Sequence, residues 1–569
     1  MSIYDKASLV LIPSGTKTSK VYSQKPTNGD GDFTFSRSTA ATRVNASGNI
    51  EKETNNQLLH SNSFVTSWTG NNSGITGGEL GYDGTYNASK HNATGGYSYR
   101  AQFGTYTGVC TFSIYAKAGT APFIRLYTSS SPSVYTNFDL VNGTIQPSGA
   151  IDSKMVDVGN GWYRCSMTFN ASNNNLIYFY CAGANGDVGI TTTGDNIYVQ
   201  HAQVEQGLVA RDYIETTTTA IYGGITDNVP RLDYTDSSCP ALLLEPQRFN
   251  AIDSSEYGGA WAAINANITK TENATTSPEG VNNAVKLEGL TTSSANQIVN
   301  FGTTSLNGVN VVGKTYTASV YLKPVNAGDV GTDIVLSIQR NSGDFEGFNV
   351  TTEITSADWK RYDLTYTFTG EGAANQIGAN FKILRDGGTS IDDIYIWGVQ
   401  FEEGSYATSY IPTYGSAVTR NQDLASFTHD VATTSWSVFM DVKNWTDILN
   451  NGQFSLSNIA DTTNSLFYFS NCFGVQKEVG QAYFCSRLAV LGQSFNGKFA
   501  VTFDGVNTIK LYVNGTLDIT STLADTAKTA GIDGGNLYYA GSASSKEIKS
   551  LLVFPTALTD QEAIDLTTI

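Results

Sequence analysis

The stretch "GVQFEEGSYATSYIPT", Gly398 to Thr413, has an earlier double in "AQVEQGLVARDYIET", Ala202 to Thr216, and the pair decides the fold. Gln203 aligns with Gln400 at an offset of 197. The same offset matches Glu205 with Glu402, Gly207 with Gly404, Ala210 with Ala407, Tyr213 with Tyr410 and Thr216 with Thr413. Upstream it still pairs Trp162 with Trp359, Arg164 with Arg361, and Ile197-Tyr198 with Ile394-Tyr395. A repeat this long exceeds any solenoid unit, so it reads as a duplicated domain. Both copies open alike, on Leu58-Leu59 with Phe64 and Trp68, and on Leu243-Leu244 with Tyr257 and Trp261.

Within each copy the apolar residues recur every second position. In "FSIYAKAG", Phe112 to Gly119, the residues Phe112, Ile114 and Ala116 share one face, and Ser113, Tyr115 and Lys117 the other. "ASVYLKPV", Ala318 to Val325, repeats the pattern. That period belongs to strands, and Gly/Asn/Asp/Ser turns between many such strands predict two antiparallel sheets packed face to face, a jelly-roll sandwich in each copy. The shared tail then reads as the chain leaving the last core strand, with Gln400, Glu402 and Tyr410 bonding the departing backbone because buried polar groups must pair. Acid–base work at Glu205 or Glu402 requires a second carboxylate at a suitable distance, and none repeats in both copies.

A chain of 569 residues holds several cores. With 51 acidic against 34 basic residues the net charge is −17, which argues against general attraction to nucleic-acid phosphates or anionic lipid and favours neutral or hydroxyl-rich partners. The opening "MSIYDKASLVLIPSGTK" contains no apolar run of export-signal or membrane-span length. Cys110, Cys165, Cys181, Cys239, Cys472 and Cys485 form no Cys-x-x-Cys pair and read as buried free thiols, with Cys472 and Cys485 as one candidate hairpin pair. His60, His91, His201 and His429 are scattered, none at metal-ligand spacing.

After Arg420 the vocabulary changes. "GKFAVTFDGVNTIKLYVNGTLDI", Gly497 to Ile519, gives two alternating strands around Asp504-Gly505 and a second turn at Asn514-Gly515. Thr559-x-x-Glu562 is a capping box ahead of a short helix. With "WSVFMDV" and "IKSLLVFPTALTDQEAIDL" these segments resemble a laminin-G/concanavalin A-like lectin domain. The phrases "FTFSRSTAATRVNASGNIE", "NVPRLDYTDSSCPALLLEPQRFN" and "VQFEEGSYATSYIPT" resemble modules of tailed-bacteriophage virion proteins, in which jelly rolls similar to carbohydrate-binding modules are strung between a virion-attached N-terminus and a lectin-like tip.

The resemblance implies an all-β chain with an N-terminal virion-attachment segment (1–57), jelly-roll sandwich 1 (58–216), a linker (217–241), jelly-roll sandwich 2 (242–413) and the lectin-like domain (414–569). It implies a head fibre, tail fibre or capsid decoration on the virion surface, assembled in the host bacterial cytoplasm. Such a protein joins other virion proteins through residues 1–57, adheres to host surface glycans as a homo-oligomer, here expected as a trimer, and neither binds nucleic acid nor inserts in a membrane. No catalytic residue is expected. A purely architectural decoration protein and a polysaccharide-degrading enzyme are the alternatives. Related jelly rolls hold a structural calcium through an Asp-Asp pair in the last strand, where this chain has Gln200-His201 and Trp397-Gly398. No cofactor is therefore expected, although Asp195, Asp392 and Asp393 lie nearby. Trp445, in the polar stretch "KNWTDILNNG", is the candidate sugar contact, since an aromatic ring packs on the C–H face of a pyranose.

Overall fold

The computed structural model describes residues 2–129, 132–173, 175–263, 268–289, 297–340, 347–369, 378–385, 393–431, 435–446, 454–457, 465–469, 473–474, 494–522, 532–538 and 544–568. Strands dominate it, gathered into three sandwiches. The candidate Cys472–Cys485 pair lies outside the described residues. Cys110, Cys165 and Cys181 are buried free thiols, whereas Cys239 is exposed.

The first sandwich packs two six-stranded antiparallel sheets. One runs Asp152–Gly159, Trp162–Ser172, Thr107–Ala118, Asn196–Gln206, Ala88–Ala93, Ser73–Glu79; the other runs Thr144–Ser148, Val134–Asp139, Phe123–Thr128, Asn175–Ala182, Tyr99–Gly104, Thr69–Asn71. In the second sandwich the order is preserved. Lys360–Thr367, Thr315–Pro324, Ile394–Glu403, Ala284–Glu288 and Thr269–Thr275 form one sheet, and Gly347–Glu353, Asp333–Arg340, Ala379–Arg385, Gln297–Asn300 and Ala262–Ala263 the other. Matching strand order in both copies is what a duplicated domain requires.

Each copy also carries one β-bulge at the same place. The ladder slips between Ser113 and Tyr115 opposite Gln203 and Gln200, and between Ser319 and Tyr321 opposite Gln400 and Trp397. The extra residue adopts the left-handed region, φ 53° at His201 and φ 65° at Gly398. A bulge residue in that region favours glycine, which explains Gly398; His201 tolerates it with its amide held by Asn62 Oδ1 at 3.0 Å. Phe112, Ile114 and Ala116 face the core as their period predicts. Ser113 and Tyr115 are buried too, because Tyr82 and the tail after Gln206 cover that outer face.

The third sandwich has two eight-stranded sheets. Phe499, Val501, Phe503, Ile509 and Leu511 point into its core as expected. The capping box closes reciprocally, Glu562 N donating to Thr559 Oγ1 and Thr559 N to Glu562 Oε2, ahead of helix Asp560–Thr567.

The N-terminal segment corrects the sequence reading. It is not a separate piece over 1–57: Leu9–Leu11 pairs with Lys546–Phe554, and Phe33–Ser36 pairs with Leu424–Val431, so the segment contributes to both sheets of the third sandwich. Arg231–Asp233, from the expected linker, and Ala241–Leu244 extend one of those sheets as well. Leu243-Leu244 is thus no counterpart of Leu58-Leu59. Ile252, placed like Leu58 two residues after a conserved-geometry asparagine, takes that role. The two jelly-roll-like sandwiches are excursions from this body, and each is entered and left through a paired stem, Thr54–Asn56 with Ile221–Gly223 for the first and Arg248–Asn250 with Val418–Arg420 for the second.

Candidate functional site

The twin tails form a backbone clamp with nearly equal distances in both copies. Gln203 Nε2 donates to Glu205 Oε1 at 2.7 Å, and Gln400 Nε2 to Glu402 Oε1 at 2.7 Å. Each glutamate then accepts a tail amide, from Arg211 N at 2.9 Å or Thr408 N at 2.8 Å. Tyr213 OH meets Ser61 Oγ at 2.6 Å, and Tyr410 OH meets Ser255 Oγ at 2.6 Å. Glu205 and Glu402 are buried and saturated by these donors, so they fold the chain back on itself and face no substrate.

Two ion-pair junctions hold the sandwiches together. In one, Arg231 bridges Glu245 Oε2 at 2.5 Å and Asp423; Arg420 Nη1 meets the same Glu245 oxygen at 2.6 Å, and Arg37 Nη1 meets Asp423 Oδ1 at 3.0 Å. Ser409 of the second tail donates its amide to Glu245 Oε1 at 2.7 Å. Burial alone would raise the Glu245 pKa, but Arg420 and Arg231 outweigh it and hold the carboxyl well below its usual range. In the other junction, Lys52 Nζ meets Glu256 Oε1 at 2.7 Å, Glu279 Oε2 at 2.9 Å and Tyr414 OH at 2.6 Å, while Arg211 Nη2 meets Glu279 Oε1 at 2.6 Å. These carboxylates are clustered as an enzyme's would be, yet each is buried against a cation.

The histidines separate. His60 is bonded to Ser67 Oγ near the surface. His91 is buried with Nε2 on Ser98 Oγ at 2.9 Å, and His201 stacks on Tyr213 at 4.0 Å between centroids. Burial lowers the His91 pKa to about 3, with Arg100 adding to the effect. Its folded pKa lies below the unfolded value near 6.5, so its contribution to stability is complete above that value and is lost as pH falls toward 3. Acidification from pH 7 to pH 5 is expected to cost about 2 kcal/mol through this residue. In urea titrations at the two pH values His91→Gln should lose less stability between them than the parent, and an equal loss would refute the assignment.

Among the described residues no group of three or more His, Cys, Asp or Glu is placed to hold a metal ion. The residues present at the last strand do not fit a calcium ion: Gln200 and His201 are an amide and an imidazole, Asp195 Oδ2 accepts Thr192 N at 2.8 Å, and Asp393 Oδ2 faces Lys286 at 3.7 Å. Asp392 lies outside the described residues.

Trp445 is a correction. It lies in strand Trp436–Thr446 and is fully buried, with the Lys546 ammonium 4.8 Å from its ring centroid. A bulge between Val442 and Trp445, with Asn444 at φ 48°, reverses the inward–outward alternation, and so turns the ring into the core. It has no face to offer a sugar.

The aromatic face the sequence reading missed lies on the outer side of the first sandwich's second sheet. Alternate residues of its strands, Ile124, Leu126, Phe138, Ile177 and Phe179, fill the core, so period two turns the others outward. Register aligns Gln146, Asn137, Arg125, Tyr180, Tyr99 and Asn71 in one row across the sheet, and Ser148, Tyr135, Tyr127 and Tyr178 in the next. The tyrosines are half-buried and touch: Tyr99 to Tyr178 and to Tyr180 at 5.1 Å, Tyr127 to Tyr178 at 5.2 Å. Burial, then the neighbouring hydroxyls, raises the pKa of Tyr178 and Tyr180, so both remain protonated donors at neutral pH. On the second sandwich the matching outer positions are Val335, Ser337 and Gln339 beside Asn380 and Lys382, none of them aromatic. The signal was present in "NLIYFYCA", where tyrosines occupy the solvent side of an alternating strand.

No family model and no curated protein matches this chain. Among solved structures it is similar to the tandem CBM22-1–CBM22-2 domains of Paenibacillus barcinonensis Xyn10C, at 12% identity over 62% of this chain and 97% of that one, TM-score 0.22. It is similar to the tandem CBM51 modules of the Streptococcus pneumoniae family 98 glycoside hydrolase Sp3GH98, at 9% identity over 65% of this chain and 100% of that one, TM-score 0.15. The CBM22-1–GH10 modules of Clostridium thermocellum Xyn10B, solved with xylohexaose, match at 15% identity over 30% of each chain, TM-score 0.20. The all-β sandwich architecture rests on the strand pairing above.

Proposed function

We propose that this chain is a non-catalytic glycan-binding protein and that a sugar chain lies along the tyrosine rows of the first sandwich. The observation that carries the reading is that face: five outward tyrosines, Tyr99, Tyr127, Tyr135, Tyr178 and Tyr180, flanked by the amides of Asn71 and Gln146. Aromatic faces pack on pyranose C–H faces while amides and phenols meet the hydroxyls, and the cost of ordering is small because strands fix the side chains. The duplicated sandwich without such a face serves as a spacer in this reading. The resemblance of the joining phrases further supports placement on the surface of a tailed-phage particle, where several copies raise weak adhesion to host glycans by avidity.

The full chain is expected to bind on a glycan array. Tyr180→Ala and Tyr99→Ala should each weaken the best glycan by about tenfold or more in titration calorimetry, a loss of the size expected for one stacked ring. Trp445→Phe, a core substitution, should leave affinity unchanged in the folded protein. Silence of the parent chain on the array would overturn glycan binding and favour the architectural reading, which the two buried ion-pair junctions independently support. Antibody labelling of purified particles tests the virion placement, and unlabelled particles refute it.

A further inference from the structure

We infer that the tyrosine face selects acidic glycans, with Arg125 as the group that receives a sugar carboxylate; this rests on the glycan-binding reading above. Arg125 stands in the middle of the first row, between Tyr180 on one neighbouring strand and Asn137 on the other. Its guanidinium lies over the Tyr135 ring at 4.4 Å from the centroid. Nε donates to Asn137 Oδ1 at 2.7 Å and Nη2 to Gly186 O at 2.8 Å. Those bonds use two of the five N–H donors and fix the plane, leaving Nη1 and the second Nη2 hydrogen for a ligand.

The holders are themselves fixed. Asn137 is buried and reaches Gln146 Oε1 at 3.4 Å. Gly186 adopts φ +72°, and a Cβ there would come within 2.4 Å of the Asn137 amide, so only glycine lets this loop carbonyl reach the guanidinium.

What Arg125 lacks is a carboxylate. Arg37, Arg211, Arg231 and Arg420 are each ion-paired, and the chain has 51 acidic residues, yet no carboxylate among the described residues pairs with Arg125. Asp139, at the end of the neighbouring strand that carries Asn137, is occupied by its own turn: it accepts Val141 N and Asn142 N at 3.0 Å and Asn142 Nδ2 at 2.8 Å. Arg164 and Arg361, also without ion pairs, are explained by the clamp, where both donate to tail carbonyls in the two copies alike. Arg125 has no such duty in the duplicated domain, where the outer positions of the matching strand carry no cation. A rigid guanidinium with open donors, walled by aromatic rings, is complementary to a carboxylate on a sugar ring. Short oligosaccharides are the appropriate ligand, because the net charge of −17 opposes a long polyanion.

The test compares the full chain against oligouronates (galacturonate, mannuronate and glucuronate tetramers) and their carboxyl-reduced counterparts. The parent is expected to prefer one acidic form by about tenfold, the range of one charge-assisted bond. Arg125→Gln should abolish the preference, the acidic form losing about tenfold more affinity than the reduced form, and Arg125→Lys should retain part of it. A parent that binds acidic and reduced forms equally, or an Arg125→Gln protein that keeps the preference, overturns the inference. Binding of neutral glycans on the array with no binding of any uronate overturns it too and leaves glycan binding standing; silence toward every glycan removes both. Should Arg125→Gln fold poorly, the parent's acidic-to-reduced ratio and the Arg125→Lys protein still decide.

Discussion

Residues 414–569 expressed alone are expected to be insoluble or unfolded, and addition of residues 1–57 as a second chain is expected to restore part of the folded population. The third sandwich buries Leu9, Leu11, Val21, Phe33 and Phe35 from the N-terminal segment among Phe427, Val438, Met440 and Leu551. Each such side chain contributes about 1.5–3 kcal/mol by burial, so their loss removes on the order of 10 kcal/mol, comparable to the whole stability of a domain. The fragment would also expose unpaired edges along Leu424–Val431 and Lys546–Phe554, where Phe33–Ser36 and Leu9–Leu11 now sit. Circular dichroism and a urea transition on the soluble fraction check this. A fragment that unfolds cooperatively without residues 1–57 would refute the account of this core.

Arg231→Ala is the second large effect. The side chain is fully buried and satisfies Glu245 and Asp423 together, and the same glutamate collects Arg420 and the tail residue Ser409. Its removal strips two buried carboxylates of a shared cation, and breaking such a pair costs about 3–5 kcal/mol. The exposed pair Lys314–Glu403 is the contrast: its loss should fall within about 0.5 kcal/mol, since solvent screens it. Denaturant titration followed by tryptophan fluorescence compares the two. A loss below about 1 kcal/mol for Arg231→Ala would show the junction to be slack, and would make the relative placement of the sandwiches a matter of apolar contact alone.

Much of this was legible because strands write their burial every second residue. Phe112, Ile114 and Ala116, the hairpin around Asp504-Gly505 and the twin tails all follow that rule, and the duplication exposed the clamp by repeating Gln, Glu and Tyr at one offset. Bulges defeat the rule locally: one extra residue near Asn444 reverses the parity, which is why Trp445 reads as exposed and is not. Long-range pairing defeats it globally. Nothing in "SLVLIPSGTK" names Leu551 to Val553 as the partner of Leu9 to Leu11, more than five hundred positions away. The phrases around Arg37, Arg231 and Ser409 supply three side chains that meet at the Glu245–Asp423 junction, a convergence that their separation in sequence conceals. The tyrosine face escaped because outward aromatics look like core aromatics until register sets them side by side.

The two stems have an evolutionary consequence. Because the chain enters and leaves each jelly-roll-like sandwich on neighbouring hydrogen-bonded strands, Asn56 beside Ile221 and Arg248 beside Arg420, the endpoints of each excursion are already adjacent. Either sandwich can therefore be removed or replaced at its stem without stretching the chain that joins the N- and C-terminal segments, at the cost of the partners it lends to the junctions, Arg211 to Glu279 from the first and Ser409 to Glu245 from the second. A tyrosine-bearing copy beside a bare one is the kind of divergence such exchangeable units leave behind.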